Sequence, residues 1–275
     1  MREPIFIIAN PRSGSSVFRL ILNSSSNSVF PPECGFIQWL YPKYKDWSFD
    51  KIDEFVKDVL NSKKIEGWNL LDYPLSTYIK FSNPKSYSEA CYYVYRYYGE
   101  INGKDVKVWG DKNNYYINHL DTISEIYPNA KYIWLTRSEK DICASYLKIN
   151  ELDSDIPYLP KVSNDITKIF EEIKENYKKI EHFLKNIDKN NKLSISFEDI
   201  LSLNETEILK LGDFVGIDVF DSINNFNNKI YFDEPKITMP WKGKTKEKLD
   251  NSYINTFKNH PQSSEIETIY KKFKW

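Results

Sequence analysis

The feature that most constrains the fold is a short apolar segment, Ile5 to Ala9, which is followed directly by the turn-rich segment Asn10 to Ser16. An unbroken run of apolar, β-branched residues before a turn is typical of a strand that is buried on both faces in a parallel sheet. Residues 17–22 then favour a helix. Together the three pieces predict a strand–loop–helix unit.

Similar units recur along the chain. The sequence predicts further strands over 106–109, 132–136 and 193–197, and further helices over 117–127, 139–149, 164–186 and 205–215. Repeated units of this kind form a parallel sheet with helices on both faces, and ligands bind at the carboxyl ends of its strands. The loops at 10–16, 110–114 and 136–138 are expected at those ends. Residues 35–103 are predicted to form helices and loops, and the Asn-rich segment 222–229 a loop.

Composition narrows the class of protein. The 38 Lys and Arg residues balance 39 Asp and Glu residues, so the chain lacks the basic surplus of a nucleic-acid-binding protein. The three cysteines, Cys34, Cys91 and Cys143, are odd in number and widely spaced, which argues against a zinc site and favours a reducing compartment. The first apolar run is too short for a signal peptide, and no stretch approaches the length of a membrane span. We therefore expect a cytoplasmic protein with no membrane partner.

The segment Pro11 to Ser16 is a candidate phosphate site. A loop that turns from a buried strand into a helix directs backbone N–H groups at one point, and the helix dipole adds positive potential there. Gly14 permits close approach of the backbone, Ser15 and Ser16 supply hydroxyls, and Arg12 supplies charge. The segment is not a Walker A motif, which needs a further Gly and a Lys. An ordinary strand–helix turn is the alternative interpretation.

A second candidate anion site lies at the end of the 132–136 strand. Arg137 follows that strand and can present a bidentate fork to a phosphate. Ser145 lies two turns into the next predicted helix. Two anion sites on neighbouring strand ends suit a nucleotide that carries phosphates at both ends of its ribose.

Taken together, these segments resemble those of the sulfotransferases that use 3'-phosphoadenosine 5'-phosphosulfate (PAPS), especially their bacterial branch. IFIIANPRSGSS resembles the 5'-phosphosulfate loop, and YIWLTRSEKDICASYLK resembles the 3'-phosphate site. VWGDKNN resembles a segment that usually reads E/D-K-T-P, and SFEDIL resembles the strand end Y-E-D-L. The resemblance implies an α/β fold in a single domain over 1–275: a P-loop-like parallel sheet flanked by helices on both faces. Residues 35–103 and 220–275 would supply acceptor-side and nucleotide-covering helices and loops.

The resemblance also implies roles for individual residues. Arg12 occupies the catalytic Lys/Arg position at the bridging oxygen of the phosphosulfate, and Arg137 with Ser145 would bind the 3'-phosphate. Arg12 thereby also counts among the cofactor-binding residues, and the residues that would bind the 5'-phosphate are Ser13, Gly14, Ser15 and Ser16. The segment Trp241, Lys242, Gly243 and Lys244 resembles a basic loop that closes over the nucleotide, although the usual R-x-G-x-x-G pattern is absent. A solvated surface loop is the alternative for this segment.

The catalytic base differs between branches of the family. Animal cytosolic enzymes carry a His just after the Lys of a K-T-H segment, whereas here Asn113 and Asn114 follow Lys112. Other branches use a Glu soon after the first helix, and Glu33 stands where that residue is expected. We therefore expect Glu33 to be the general base, with an exposed loop carboxylate as the alternative interpretation. We expect His119 to be a structural or surface residue.

Lys112 is the third expected catalytic residue. It would stabilise the charge of the transferring sulfonate or position the acceptor. A salt bridge to Asp111 or Glu33 is the alternative interpretation.

The sequence thus predicts a sulfotransferase that moves a sulfonate group from PAPS to a hydroxyl or nitrogen of a small-molecule acceptor, a metabolite or natural product. PAP, the 3',5'-bisphosphate, would be the other product, and no metal is expected. Two alternatives remain: a P-loop kinase of nucleotides or small molecules, and a non-catalytic nucleotide-binding homologue.

Overall fold

The computed structural model describes residues 2–150, 159, 161–231 and 268. In this part of the chain the strands β1 to β5 are Ile5–Ile8, Ser28–Val29, Val108–Lys112, Lys131–Thr136 and Lys192–Ser196. The helices α1 to α12 are Ser15–Asn23, Phe36–Trp39, Tyr41–Tyr44, Ile52–Leu60, Asp72–Ser82, Tyr87–Ile101, Leu120–Ile126, Glu139–Asn150, Ile166–Lys185, Phe197–Leu201, Glu205–Val215 and Val219–Asn227. Short 3-10 helices lie at Phe49–Lys51, Ile65–Trp68, Asn114–Asn118 and Lys189–Asn191.

The strands form one parallel sheet in the order β2-β3-β1-β4-β5. β1 lies at the centre, where Ile5 is opposite Gly110 of β3 and Lys131 of β4. Because parallel strands end at the same edge, the segments after β1, β3 and β4 meet there. This edge carries the residues singled out in the sequence.

Alternate residues of β1 face two apolar cores. Phe6 and Ile8 pack in the core formed with α2 to α9, while Ile5 and Ile7 pack in the core formed with α1 and α10 to α12. All four side chains are buried, which explains why this strand reads as an unbroken apolar run. The parallel sheet with helices on both faces is confirmed, as are the helices and loops over 35–103.

The prediction of a loop over 222–229 is wrong. Most of the segment belongs to α12, whose first turn is capped by the Asp218 side chain accepting a hydrogen bond from the Asp221 N–H. Val219 and Ser222 are buried, and α12 packs against α1. Tertiary packing and a good cap outweigh the weak helix propensity of asparagine.

Two boundaries near β3 also differ from expectation. Residues 110–112, predicted as loop, are the second half of the strand, and a Cβ on Gly110 would lie 2.2 Å from the Ile5 carbonyl oxygen. Glycine therefore lets this central strand approach β1. The helix predicted from Ile117 begins at Leu120, after the 3-10 helix Asn114–Asn118.

None of the described helices combines the length and apolar character needed to cross a membrane. The extension of one domain over 1–275 stays a prediction, because residues 232–267 and 269–275 lie outside the described residues.

Candidate active site

The loop between β1 and α1 has the backbone of an anion-binding turn. Arg12 (φ 73°) and Gly14 (φ 82°) both adopt the left-handed conformation. Left-handed residues in such a loop turn successive N–H groups toward one side. A Cβ on Gly14 would lie 2.6 Å from the ring of Phe197, so both the conformation and the available space require glycine here.

The polar groups of this loop fit a phosphate. Ser13 is fully buried, and its Oγ makes no hydrogen bond within the described part of the chain. α1 begins at Ser15, and its N-cap residue, Gly14, has no side chain that could cap the first turn. A buried hydroxyl and a helix N-terminus without a cap can both be satisfied by the oxygens of one bound anion.

The two anion sites predicted separately lie side by side. The Arg12 Nε donates a hydrogen bond to the Ser145 Oγ at 2.9 Å, and the Arg137 Nη1 donates to the Arg12 carbonyl oxygen at 3.1 Å. Burial, followed by the positive charge of Arg137, lowers the pKa of Arg12 to about 10. An anion between the two guanidinium groups would relieve their repulsion. The arrangement favours an anionic ligand.

Phe197, the first residue of α10, supports both halves of this cluster. Its ring contacts the backbone at Gly14, and the guanidinium carbon of Arg137 lies 5.5 Å from the ring centroid. Such a cation–π contact holds the arginine side chain in place. Sequence reasoning matched the segment SFEDIL but gave Phe197 no role.

A row of three residues on α9, Glu172, Asn176 and Tyr177, buttresses the same cluster, and we call it the α9 brace. The Asn176 Nδ2 donates to the Asn10 Oδ1 at 2.8 Å, and the Tyr177 hydroxyl donates to the Arg137 carbonyl oxygen at 3.2 Å. Glu172 accepts a hydrogen bond from the Tyr146 hydroxyl at 2.9 Å. The sequence indicated only a long charged helix here, because spacing alone does not show which face meets a loop.

Glu33 lies between two lysines. Its Oε2 is 3.1 Å from the Lys64 Nζ, and its Oε1 forms an ion pair with the Lys112 Nζ. The two ammonium groups hold the carboxylate in place between them, and a carboxylate is a group that can act as a general base. The predicted alternative for Lys112, a salt bridge to Glu33, is present in the structure.

Lys112 connects this pair to the anion-binding loop. Its side chain is only 1% exposed, and its Nζ also lies 3.4 Å from the Ser16 Oγ. The structure thus brings the predicted base and the predicted catalytic lysine to the start of α1. Lys64, which completes the group, was missed because nothing in the local sequence ties residue 64 to residue 33.

Asp111 is a buried carboxyl group directly beneath Lys112. It accepts hydrogen bonds from the Lys112 backbone N–H at 2.7 Å and from the Tyr116 hydroxyl. Burial raises the pKa of Asp111 to about 6. Asp111 therefore holds the end of β3 in shape, and we assign it no contact with a ligand.

The residues that replace the animal-type histidine have structural contacts. The Asn114 Oδ1 accepts a hydrogen bond from the Ser15 Oγ at 3.3 Å, and the Asn113 Oδ1 accepts one from the Tyr115 N–H at 3.1 Å. The His119 ring lies 4.3 Å from the Tyr115 ring, centroid to centroid, and burial lowers the pKa of His119. The absence of a catalytic role for His119 stays a prediction.

Three predicted site residues, Lys242, Gly243 and Lys244, lie outside the described residues. Across the described ranges, no group of three or more His, Cys, Asp or Glu side chains could hold a metal ion. A reaction without a metal stays a prediction.

The chain is similar to known proteins in sequence and in fold. A family model described as "Sulfotransferase family" matches residues 4–222, whereas no curated protein matches the sequence. The sulfotransferase domain from the Synechococcus PCC 7002 olefin synthase is a similar solved structure, with a TM-score of 0.62 and 16% identity, covering 100% of this chain and 96% of that chain. The sulfotransferase domain from the curacin biosynthetic pathway has a TM-score of 0.60 and 17% identity, covering 100% and 98%.

At these identities the two solved structures show the fold, which is the P-loop-like α/β fold expected from the sequence. The family model covers most of the chain, from before β1 into α12. The chain belongs to the sulfotransferase family.

Proposed function

We propose that this protein transfers a sulfonate group from PAPS to a hydroxyl or nitrogen of a small-molecule acceptor. The observation that carries the proposal is the contact of Arg12 with Ser145 and Arg137, next to the β1–α1 loop. PAPS carries a phosphate on the 3' side of its ribose and a phosphosulfate on the 5' side. A ligand of this kind needs two cationic sites at one edge of the sheet. The contact between Arg12 and Arg137 supports such a pair of sites.

Each residue of the cluster then has a role. Arg137 and Ser145 bind the 3'-phosphate, and the four residues from Ser13 to Ser16 bind the 5'-phosphate. Arg12 neutralises the charge that develops on the leaving phosphate. Lys242 to Lys244 would close over the nucleotide.

The chemistry uses Glu33 and Lys112. Glu33 accepts the proton of the acceptor hydroxyl or amine, while the acceptor atom forms a bond to sulfur and the bond between sulfur and the phosphate oxygen breaks. PAPS supplies the sulfonate, and PAP leaves with the electron pair of the broken bond. Lys112 offsets the negative charge of the sulfonate, as expected for a transfer that relies on positioning and electrostatics.

The alternatives are less well supported. Membership of the sulfotransferase family and the lack of a Walker A motif argue against a kinase. A non-catalytic homologue would keep Arg12 and Arg137 but would not need a carboxylate beside Lys112. Family membership, together with the position of Glu33 and Lys112 beside Ser16 at the start of α1, therefore favours an enzyme.

Two measurements test the proposal. Thermal unfolding with PAP, ATP or 5'-AMP should show stabilisation chiefly by PAP, since only a ligand that binds the native state stabilises it. Incubation with sulfur-labelled PAPS and a panel of small hydroxyl and amine compounds should give a labelled product and an equal amount of PAP. Stabilisation by ATP rather than PAP would support the kinase. PAP binding without any labelled product would support the non-catalytic homologue.

A further inference from the structure

The two carboxylate oxygens of Glu33 have different partners. Oε1 forms an ion pair with the Nζ of Lys112, which also lies 3.4 Å from the Ser16 Oγ at the start of α1. Oε2 lies 3.1 Å from the Nζ of Lys64. Oε1 is therefore linked through Lys112 to the anion-binding loop, whereas Oε2 is held by a residue from a different part of the chain.

The two lysines differ in burial as well as in position. The side chain of Lys112 is 1% exposed, whereas that of Lys64 is 35% exposed, and we call the contact of Glu33 with Lys64 the outer ion pair. In the proposed reaction Lys112 offsets the charge of the transferring sulfonate, which draws its ammonium group away from Glu33. Lys64 has no such second task, so the outer ion pair can persist through the transfer.

Hydrogen bonds join the segments on either side of the outer ion pair. The Trp68 Nε1 donates to the Pro32 carbonyl oxygen at 2.9 Å, and the Cys34 Sγ donates to the Lys63 carbonyl oxygen at 3.4 Å. Trp68 is itself buried. The segments that carry the two charges of the outer ion pair are therefore fixed relative to each other, as the placement of a reacting group requires.

The backbone of Lys64 adopts a conformation that a lysine usually avoids. Its φ angle is 70°, in the left-handed region where glycine is favoured. A side chain that occupies such a position at an energetic cost points to a role for that side chain. The contact with the Glu33 carboxylate supplies one.

We propose that Lys64 is a positioning residue, which holds Oε2 of Glu33 so that Oε1 receives the proton of the acceptor while Lys112 turns to the sulfonate. This inference rests on the proposed function, because it divides the work of the same base between its two oxygens. The proton moves from the acceptor hydroxyl or amine to Oε1, and Lys64 keeps its own protons throughout.

The test measures single-turnover transfer of labelled sulfonate from PAPS to phenol, to 4-nitrophenol and to water. At pH ~8 4-nitrophenol is largely ionised and needs no base, whereas phenol and water must lose a proton. Lys64→Met removes the charge, so transfer to phenol should fall about ten- to hundredfold, the cost of a misplaced reacting group, while transfer to 4-nitrophenol should hardly change. A residue that only supports folding would affect both phenols equally.

Three further variants separate positioning from stability. Lys64→Arg should restore most of the transfer to phenol, because it keeps the charge. Lys64→Gly suits the left-handed backbone, so it should unfold near the wild-type temperature and still show the loss seen in Lys64→Met. Lys63→Met is the matched control: it changes the exposed neighbouring side chain, keeps the carbonyl group that Cys34 contacts, and should transfer to phenol at the wild-type rate.

The effect should also depend on Glu33. In a Glu33→Gln background, Lys64→Met should slow transfer to phenol no further, because no base is left to position. Unchanged transfer to phenol in Lys64→Met, equal losses for both phenols, or the same loss in both backgrounds would overturn the role of Lys64 while sulfonate transfer stands. No transfer by the wild type to phenol, 4-nitrophenol or water would instead remove the proposed function, and this role with it.

Discussion

The Arg12 guanidinium donates a hydrogen bond to the Ser145 hydroxyl across 2.9 Å, which joins the loop after β1 to the helix after β4. Arg137 completes the connection by donating to the carbonyl oxygen of Arg12. The segments assigned to the 5' and 3' sides of the nucleotide therefore form one cationic unit. A substitution in one segment is therefore expected to affect the other.

Arg137→Ala should weaken the binding of PAP far more than the binding of 5'-AMP. Loss of a partly buried charged hydrogen bond typically costs about 2–5 kcal/mol, so we expect on the order of a 30-fold loss or more for PAP. Calorimetry with both nucleotides measures the difference. Arg96→Ala, which removes an arginine paired with Glu100 on α6, is the matched control. Equal losses for PAP and 5'-AMP would remove Arg137 from the 3'-phosphate site.

Arg12→Ala should lower turnover more than it raises the apparent dissociation constant of PAP. Its charge matters most as the leaving phosphate develops, and removal of one such group usually costs about 10²–10³ in rate. Single-turnover kinetics at saturating PAPS separates the two effects. Near-wild-type turnover would be incompatible with the catalytic role of Arg12.

Asn176→Asp tests the α9 brace. The substitution keeps the size of the side chain but replaces the donor that faces the Asn10 Oδ1 with an acceptor. The β1–α1 loop should shift, and PAP affinity should fall about tenfold, the equivalent of one hydrogen bond. In an Arg12→Ala background the same change should have a smaller effect if Asn176 acts through that loop. Unchanged PAP affinity in Asn176→Asp would reduce Asn176 to a residue that supports stability alone.

The central strands could be predicted because their sequence and their burial agree. β1 and β4 are apolar on both faces, so the runs at 5–8 and 132–135 need no tertiary information to be recognised. α12 was missed for the opposite reason. Its asparagines disfavour a helix, and the packing against α1 that stabilises it involves residues distant in sequence.

In the candidate site, too, the residues next to recognised strands could be predicted, whereas contacts between distant segments could not. Arg12 and Arg137 follow strands that were recognised, so parallel topology placed them at one edge. The contacts of Lys64 with Glu33, of Asn176 with Asn10 and of Phe197 with Gly14 join residues 31 or more positions apart. A single sequence contains no signal for such pairs.

Asp111 should make stability depend on pH. Burial raises the pKa of Asp111 to about 6 in the folded protein, whereas the pKa of aspartate in an unfolded chain is ~3.9. Between these values the folded state holds a proton that the unfolded state has lost, so the free energy of unfolding falls as the pH rises through this window. Asp111→Asn removes this titration. Its free energy of unfolding should therefore rise relative to that of the wild type by on the order of 3 kcal/mol between pH ~4 and pH ~7.

Urea denaturation of both proteins at the two pH values measures this difference. Asp213→Asn, an exposed position on α11, should show no comparable trend. A constant difference between wild type and Asp111→Asn at all pH values would show that the Asp111 carboxyl does not titrate in this window.

The measurement that tests the account most directly is single-turnover sulfonate transfer by the wild type, Glu33→Gln and His119→Asn, each saturated with PAPS and acceptor. Glu33→Gln keeps the shape of the side chain but cannot accept a proton, so transfer should fall by about 10²–10⁴ while PAP still binds. His119→Asn should transfer at nearly the wild-type rate. Normal transfer by Glu33→Gln, together with a large loss in His119→Asn, would contradict the account.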